Sequence, residues 1–273
     1  MRKFLIPAVL LISAALGAHA DQRGPTLLDN GYAQMYNLQF AEAHESFARW
    51  QAQHPEDPLG PVSDAAAYLF AEFDRLHVLE MELFTDDSRF EQRSKQSPDA
   101  QVKKAFSEQL VKARGLASQA LAKNPRDANA LLASVLSAGL EGDYLAMIEK
   151  RELQGLKFIK QGRATAEQLL TIDPGCYDAY LAVGVENYLL SLKPAPLRWF
   201  LRLGGAQTDK DTGLQKLRIT ADKGHYLMPY ARLLLAVAAL RDHDRARARL
   251  LLEELARQYP HNHLYGQELA KLR

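Results

Sequence analysis

The chain has 273 residues, with 34 Lys or Arg against 33 Asp or Glu for a formal net charge of +1, and 47% of it is hydrophobic. That hydrophobic content excludes wholesale disorder, and the charge balance excludes a global field that would draw nucleic acid or acidic lipid. Cys176 is the single cysteine, which excludes an intrachain disulfide, so the core must hold itself together.

The first twenty residues read as a secretory signal peptide. Arg2 and Lys3 form a basic start, the run 4–16 is apolar, and Ala18-His19-Ala20 offers small residues where a signal peptidase reads, so cleavage is expected before Asp21. The apolar run is shorter than the roughly 20 residues of a spanning helix. No cysteine follows it to carry a lipid. Loss of Arg2 and Lys3 takes the 34 basic residues to 32 against 33 acidic ones, a net charge of −1. No later segment reads as long and uncharged enough to cross a bilayer, since Arg232 and Arg241 close the apolar run 233–240. The expectation is an exported chain, periplasmic or secreted, soluble after cleavage, with 21–273 as one domain.

Few runs alternate with period two. Apolar residues recur at three and four, as in Leu110, Ala113, Ala117, Ala120 and Leu121, which is a helical face. The reading is therefore all-α. Four helices are expected to end alike, at Pro55, Pro125, Pro174 and Pro260, because proline cannot continue a helix and pushes its predecessor out of the α region. Asp57, Asp127 and Asn262 each lie two residues beyond a proline, placed to accept from the free N–H groups of the next helix. Upstream, Ala43 and Phe47 precede Pro55 by twelve and eight residues, Ala113 and Ala117 precede Pro125 by the same distances, and so do Ala248 and Leu252 before Pro260. Small residues at a crossing let helix axes approach to roughly 8–10 Å. Gly31 and Gly184 occupy corresponding places on partner helices. A long helix is expected over 62–83. The polar run 85–99 reads as a loop, Gly142-Asp143 and Gly162 punctuate a helical stretch, and 193–211 is an insertion rich in proline and glycine.

These prolines and small residues resemble the tetratricopeptide repeat, a helix–turn–helix unit of about 34 residues. The resemblance implies a right-handed superhelical stack of antiparallel helix pairs, an α-solenoid with degenerate repeats. The proline spacings of 70, 49 and 86 residues mark stretched or interrupted units. A narrower resemblance spans 177–240: Gly184, Tyr188-Leu189-Leu190-Ser191-Leu192, Pro194, Leu203-Gly204-Gly205, Asp211 and Gly213-Leu214-Gln215-Lys216-Leu217. It is similar to a group of tetratricopeptide-like proteins that includes the eukaryotic inclusion-body-clearance proteins and bacterial relatives. That group implies no catalytic residues.

Stacked hairpins present the first helix of each pair to a concave face. By register its candidates are Tyr32, Met35, Tyr36, Val62, Ala66, Leu69 and Phe70, then Asn129, Leu132 and Leu136, then Asp178, Leu181, Val185 and Tyr188. Glu186 is a candidate polar anchor beside them. This apolar and tyrosine lining suits an apolar helix or extended protein segment better than a peptide carboxylate. Filling of the face by another part of the same chain is equally open. In the insertion, Arg198 and Arg202 are four apart beside Trp199 and Phe200. They read either as a lip for a partner or membrane surface, or as a connector whose aromatics plug a hairpin.

No convergent catalytic set appears. His77 and Glu80, with Glu72 and Glu82 nearby, have helical spacing for a metal, but no second histidine–carboxylate pair matches them, and a solvated acidic face is the expectation. His261 and His263 are read the same way, and Cys176 as a buried small residue. The expected function is a non-catalytic adaptor or scaffold of the bacterial cell envelope, with no cofactor, no metal and no nucleic-acid partner.

Overall fold

A computed structural model describes residues 24–78, 95, 97–192 and 207–272. The expected signal peptide, Glu80, Glu82, Arg198, Trp199, Phe200 and Arg202 lie outside the described residues. Among the described residues there are eleven α-helices and no strand. They are α1 (Leu27–Tyr36), α2 (Phe40–Gln53), α3 (Leu59–Arg75), α4 (Ala100–Lys123), α5 (Ala128–Asp143), α6 (Glu152–Ile172), α7 (Tyr180–Ser191), α8 (Lys210–Lys223), α9 (Met228–Arg241), α10 (Arg245–Gln258) and α11 (His263–Lys271). A π-helical turn, Tyr144–Ile148, extends α5, and a 3-10 turn, Tyr177–Ala179, leads into α7. Each helix packs mainly on its neighbours in sequence, as in an α-solenoid.

Two corner chemistries alternate along the chain. The second helix of four pairs ends with one motif: His54, Asn124, Asp173 and Tyr259 each donate from N to the carbonyl four residues back at 2.8 Å. Proline follows, and Asp57, Asp127, Cys176 and Asn262 close the turn at 3.1, 3.0, 3.2 and 3.1 Å. The side chains of Asp57, Asp127 and Asn262 then accept from Leu59, Ala130 and Leu264 N. The first helix of a pair turns differently. Leu38, His77, Lys150 and His243 take positive φ of 60°, 56°, 56° and 60°. Gln39, Val78 and Asp244 N return to the carbonyls of Gln34, Phe73 and Ala239. This closure satisfies carbonyls that a helix end leaves free.

Close crossings sit at the small residues. A Cβ on Gly31 would stand 2.3 Å from the Phe47 ring, and one on Gly213 would stand 2.6 Å from Tyr188 N. Ala43, Phe47, Ala113, Ala248 and Leu252 are fully buried. A fifth junction, between α8 and α9, lacks a proline. Gly224 turns the chain there, and the Asp178 carboxylate accepts from Tyr226 N and Leu227 N, both at 3.0 Å.

Three sequence expectations need correction. Helix α3 ends at Arg75, because His77 is in the left-handed region, so His77 does not continue a helix toward Glu80. The insertion beginning at 193 gives way to α8 at Lys210, capped by Asp209, rather than running to 211. One later segment, Ala128–Ile148, is long and apolar enough by length and composition to cross a membrane. Its flanks explain the composition: α5 packs against α3, α4 and α6 as a core helix.

The last pair returns to the first. Tyr226 stacks on Tyr32 at 4.6 Å, and Tyr36 Oη donates to Tyr226 O at 3.0 Å. Asn262 Nδ2 donates to Tyr36 O at 2.9 Å, His261 N to Asn37 Oδ1 at 3.2 Å, and His225 Nε2 meets Asp29 Oδ1 at 2.6 Å. Helix α1 is thus bridged to the chain 190 or more residues later.

Candidate binding cavity

The inner faces of α1, α3, α5, α7 and α9, with Ile159 and Gly162 of α6 and Leu217 of α8, border two adjoining lobes of a hollow that share part of their wall. One lobe, about 90 Å³, is walled by Tyr32, Tyr36, Phe70, Leu136, Leu181 and Val185 among others. The other, about 160 Å³, is walled by Phe73, Met147, Tyr188, Leu189, Leu217 and Leu233 among others. Asp143, Ile159, Val185 and Tyr230 border both lobes and form a waist.

The concave-face register places ten residues on the first lobe: Tyr32, Met35, Tyr36, Val62, Ala66, Phe70, Leu136, Asp178, Leu181 and Val185. Tyr188 borders the second. The face is neither empty nor filled. Leu227 and Tyr230 come across from the far end of the chain and narrow it into a hollow. Phe70 and Tyr230 meet edge to face at 5.6 Å, and Phe70 and Tyr36 at 6.1 Å.

Leu69 and Glu186 do not belong to this wall. Leu69 is buried in the core, because it sits one residue around the helix from Phe70. Leu132 is buried as well, and Asn129 borders a polar surface cleft beside Trp50 and His54. Glu186 is wholly buried and accepts from Arg163 Nε at 2.7 Å and Gln207 N at 3.3 Å. Asn187 accepts from Asp209 N at 3.3 Å and donates to Gln207 Oε1 at 2.7 Å. The pair therefore clamps the chain where it re-enters α8.

Glu72 does the same before α4. It takes both Arg75 Nε and Nη2, at 2.8 and 2.7 Å, and Asp99 N at 2.7 Å. The Arg75 guanidinium holds this carboxyl below the usual carboxylate range. Glu72, Glu186 and Asp178 are thus engaged by the scaffold. Among the described residues, no group of three or more His, Cys, Asp or Glu is arranged to hold a metal ion. Burial pushes the Cys176 thiol up to about 11, which suits a packing role.

Asp143 is different. Among the described residues its carboxylate meets one side chain, the Tyr230 hydroxyl, which donates to Oδ2 at 3.4 Å. The surface that Asp143 keeps belongs to the wall of the hollow. Burial raises its carboxyl to about 7, and the Tyr230 bond only partly opposes this. Burial likewise puts the Tyr230 phenol well above its usual value. Close packing sets the position. A Cβ on Gly155 would lie 2.8 Å from Gly142 O, so α5 and α6 touch backbone to backbone one residue before Asp143. Sequence reasoning noted Gly142-Asp143 only as punctuation. The sequence carries only a weak signal for it, a second acid two residues after Glu141 at the end of an apolar helix.

Comparison with protein-family models finds no family whose model matches the chain, and comparison with curated proteins finds no match.

Proposed function

We propose that this chain is an exported, non-catalytic holding protein of the cell envelope, built as a right-handed tetratricopeptide-like superhelix. It acts as an adaptor that receives an extended apolar segment of a protein in its axial hollow. The observation that carries the reading is the hollow itself. Five first helices turn an apolar and aromatic face onto one elongated space, and the polar groups Glu72, Asp178 and Glu186 are bound to the scaffold. Repeated proline corners and small residues at the crossings support the tetratricopeptide-like arrangement. The basic-then-apolar start and Ala18-His19-Ala20 support export.

The shape of the space narrows the guest. An engineered apolar cavity of roughly 150 Å³ takes one benzene-sized molecule. Lobes of about 90 and 160 Å³ therefore suit a slim chain in line, not a helix about 10 Å across.

The test is selection from a random peptide display library on the purified mature chain. Enrichment of extended, apolar sequences is expected, with binding lost in Val185→Glu and Leu136→Glu variants that keep their helical circular dichroism. Absence of enrichment, or enriched peptides indifferent to both substitutions, would refute the reading.

A further inference from the structure

An apolar hollow needs no carboxylate. Asp143 stands at its waist, between Ile159 and Val185, with the Tyr230 hydroxyl as its only side-chain partner among the described residues. Asp143 is half-buried in this apolar lining. A charge so placed without a counter-charge is costly, and leucine or asparagine would fill the same place more cheaply. Among the described residues, the elements around it supply no cation. The titratable groups on the two lobes are Asp143 from α5, Tyr230 from α9, Tyr32 and Tyr36 from α1, Tyr188 from α7 and Asp178 before α7. Asp178 already serves Tyr226 N and Leu227 N. No Lys, Arg or His borders either lobe among the described residues.

We infer that the waist selects a guest bearing one ammonium group on an otherwise apolar chain, with Asp143 as its counter-ion and Tyr230 bracing the carboxylate. The inference rests on the reading that the hollow is where a guest is held. Charge decides the class. A carboxylate-headed chain would face Asp143 with no cation to offset the repulsion. A neutral chain would fill the lobes but leave the carboxylate uncompensated. A primary ammonium offsets the charge and donates to the free Asp143 oxygen, while Phe70 and Tyr230 offer aromatic faces to the neighbouring methylenes. This chemistry has two sources, a free alkylamine or a lysine within an extended apolar protein segment.

Calorimetry on the full mature chain separates them. The probes are n-octylamine, n-octanol and octanoate, and a pair of extended apolar peptides with either lysine or norleucine at the centre. At pH 8 at least a tenfold preference for the ammonium form is expected in one arm, either octylamine over octanol or lysine peptide over norleucine peptide. The arm that shows it identifies the source. The preference should shrink several-fold at pH 5.5, where Asp143 takes up a proton. It should vanish in Asp143→Asn and weaken in Tyr230→Phe, with melting curves confirming that both variants fold. If octanol or the norleucine peptide binds as tightly as its ammonium counterpart, the inference fails and the hollow stands as a general apolar site. If no probe in either arm binds, the holding reading fails and the inference falls with it.

Discussion

At the residue scale, Asp143 links stability to pH. Its carboxyl titrates near 7 in the fold, where burial disfavours the charge, against about 3.8 in an unfolded chain. A raised carboxyl destabilises the fold wherever the unfolded state has already lost the proton. The penalty is absent below about pH 4, grows between about 4 and 7, and is complete above 7. Asp143→Asn should therefore match the wild type at pH 4 and exceed it by about 2–4 kcal/mol at pH 8. Urea denaturation across that range measures the difference. A constant gap, or one that closes as pH rises, would contradict the assignment.

Two of the register assignments show why such a residue escapes a sequence reading. Phe70 and Val185 follow from helical period alone, and both line the hollow. Leu69 sits next to Phe70 and falls in the core, because one residue rotates a helix by about 100°. Glu186 reads as a groove anchor from its place on the glycine-constrained helix around Gly184. Its partners, Arg163 and Gln207, come from other elements, and no local pattern announces them.

At the element scale, the two corner types divide the work. Proline corners stop a helix and cap the next one through Asp57, Asp127 and Asn262, which a sequence can advertise. The alternate corners put Leu38, His77, Lys150 and His243 in the left-handed region, where a β-carbon is strained. None of these is glycine, so sequence alone marks none of them. His243 is exposed, so relief of strain there can be isolated from packing. His243→Gly should stabilise the chain by about 0.5–1 kcal/mol, net of the greater freedom glycine gives the unfolded state. Thermal unfolding followed by circular dichroism reads it, and a drop in midpoint would sink the strain argument. The junction at Gly224 was also unmarked. Its turn is held by Asp178, 46 or more residues earlier, rather than by a proline.

At the scale of the whole molecule, the return of the last pair to the first decides what the concave face becomes. Helix α1 is tied to the chain around α9 by the Tyr32–Tyr226 stack, by Tyr36 Oη on Tyr226 O and by Asn262 on Tyr36 O. An open stack would expose a long apolar trough. The tie turns it into a bounded hollow. Tyr226→Ala removes the stack and leaves every helix-pair crossing in place. It should raise the radius of gyration in X-ray scattering while helical content stays constant, and should weaken binding of any guest in the hollow. An unchanged scattering profile would show that the remaining contacts suffice to hold the ends together.

What the amino-acid sequence determined by itself was local and periodic. Helices, proline corners, their caps, the small residues at crossings and the inward placing of Tyr32, Tyr36, Phe70, Leu181 and Val185 all repeat at short range, where backbone sterics and helical period act. Tertiary structure alone decided the closure, the clamps of Glu72 and Glu186 on returning chain, and the seat of Asp143 opposite Tyr230. Each joins residues many helices or a whole loop apart, so chain geometry, not local propensity, brings them together.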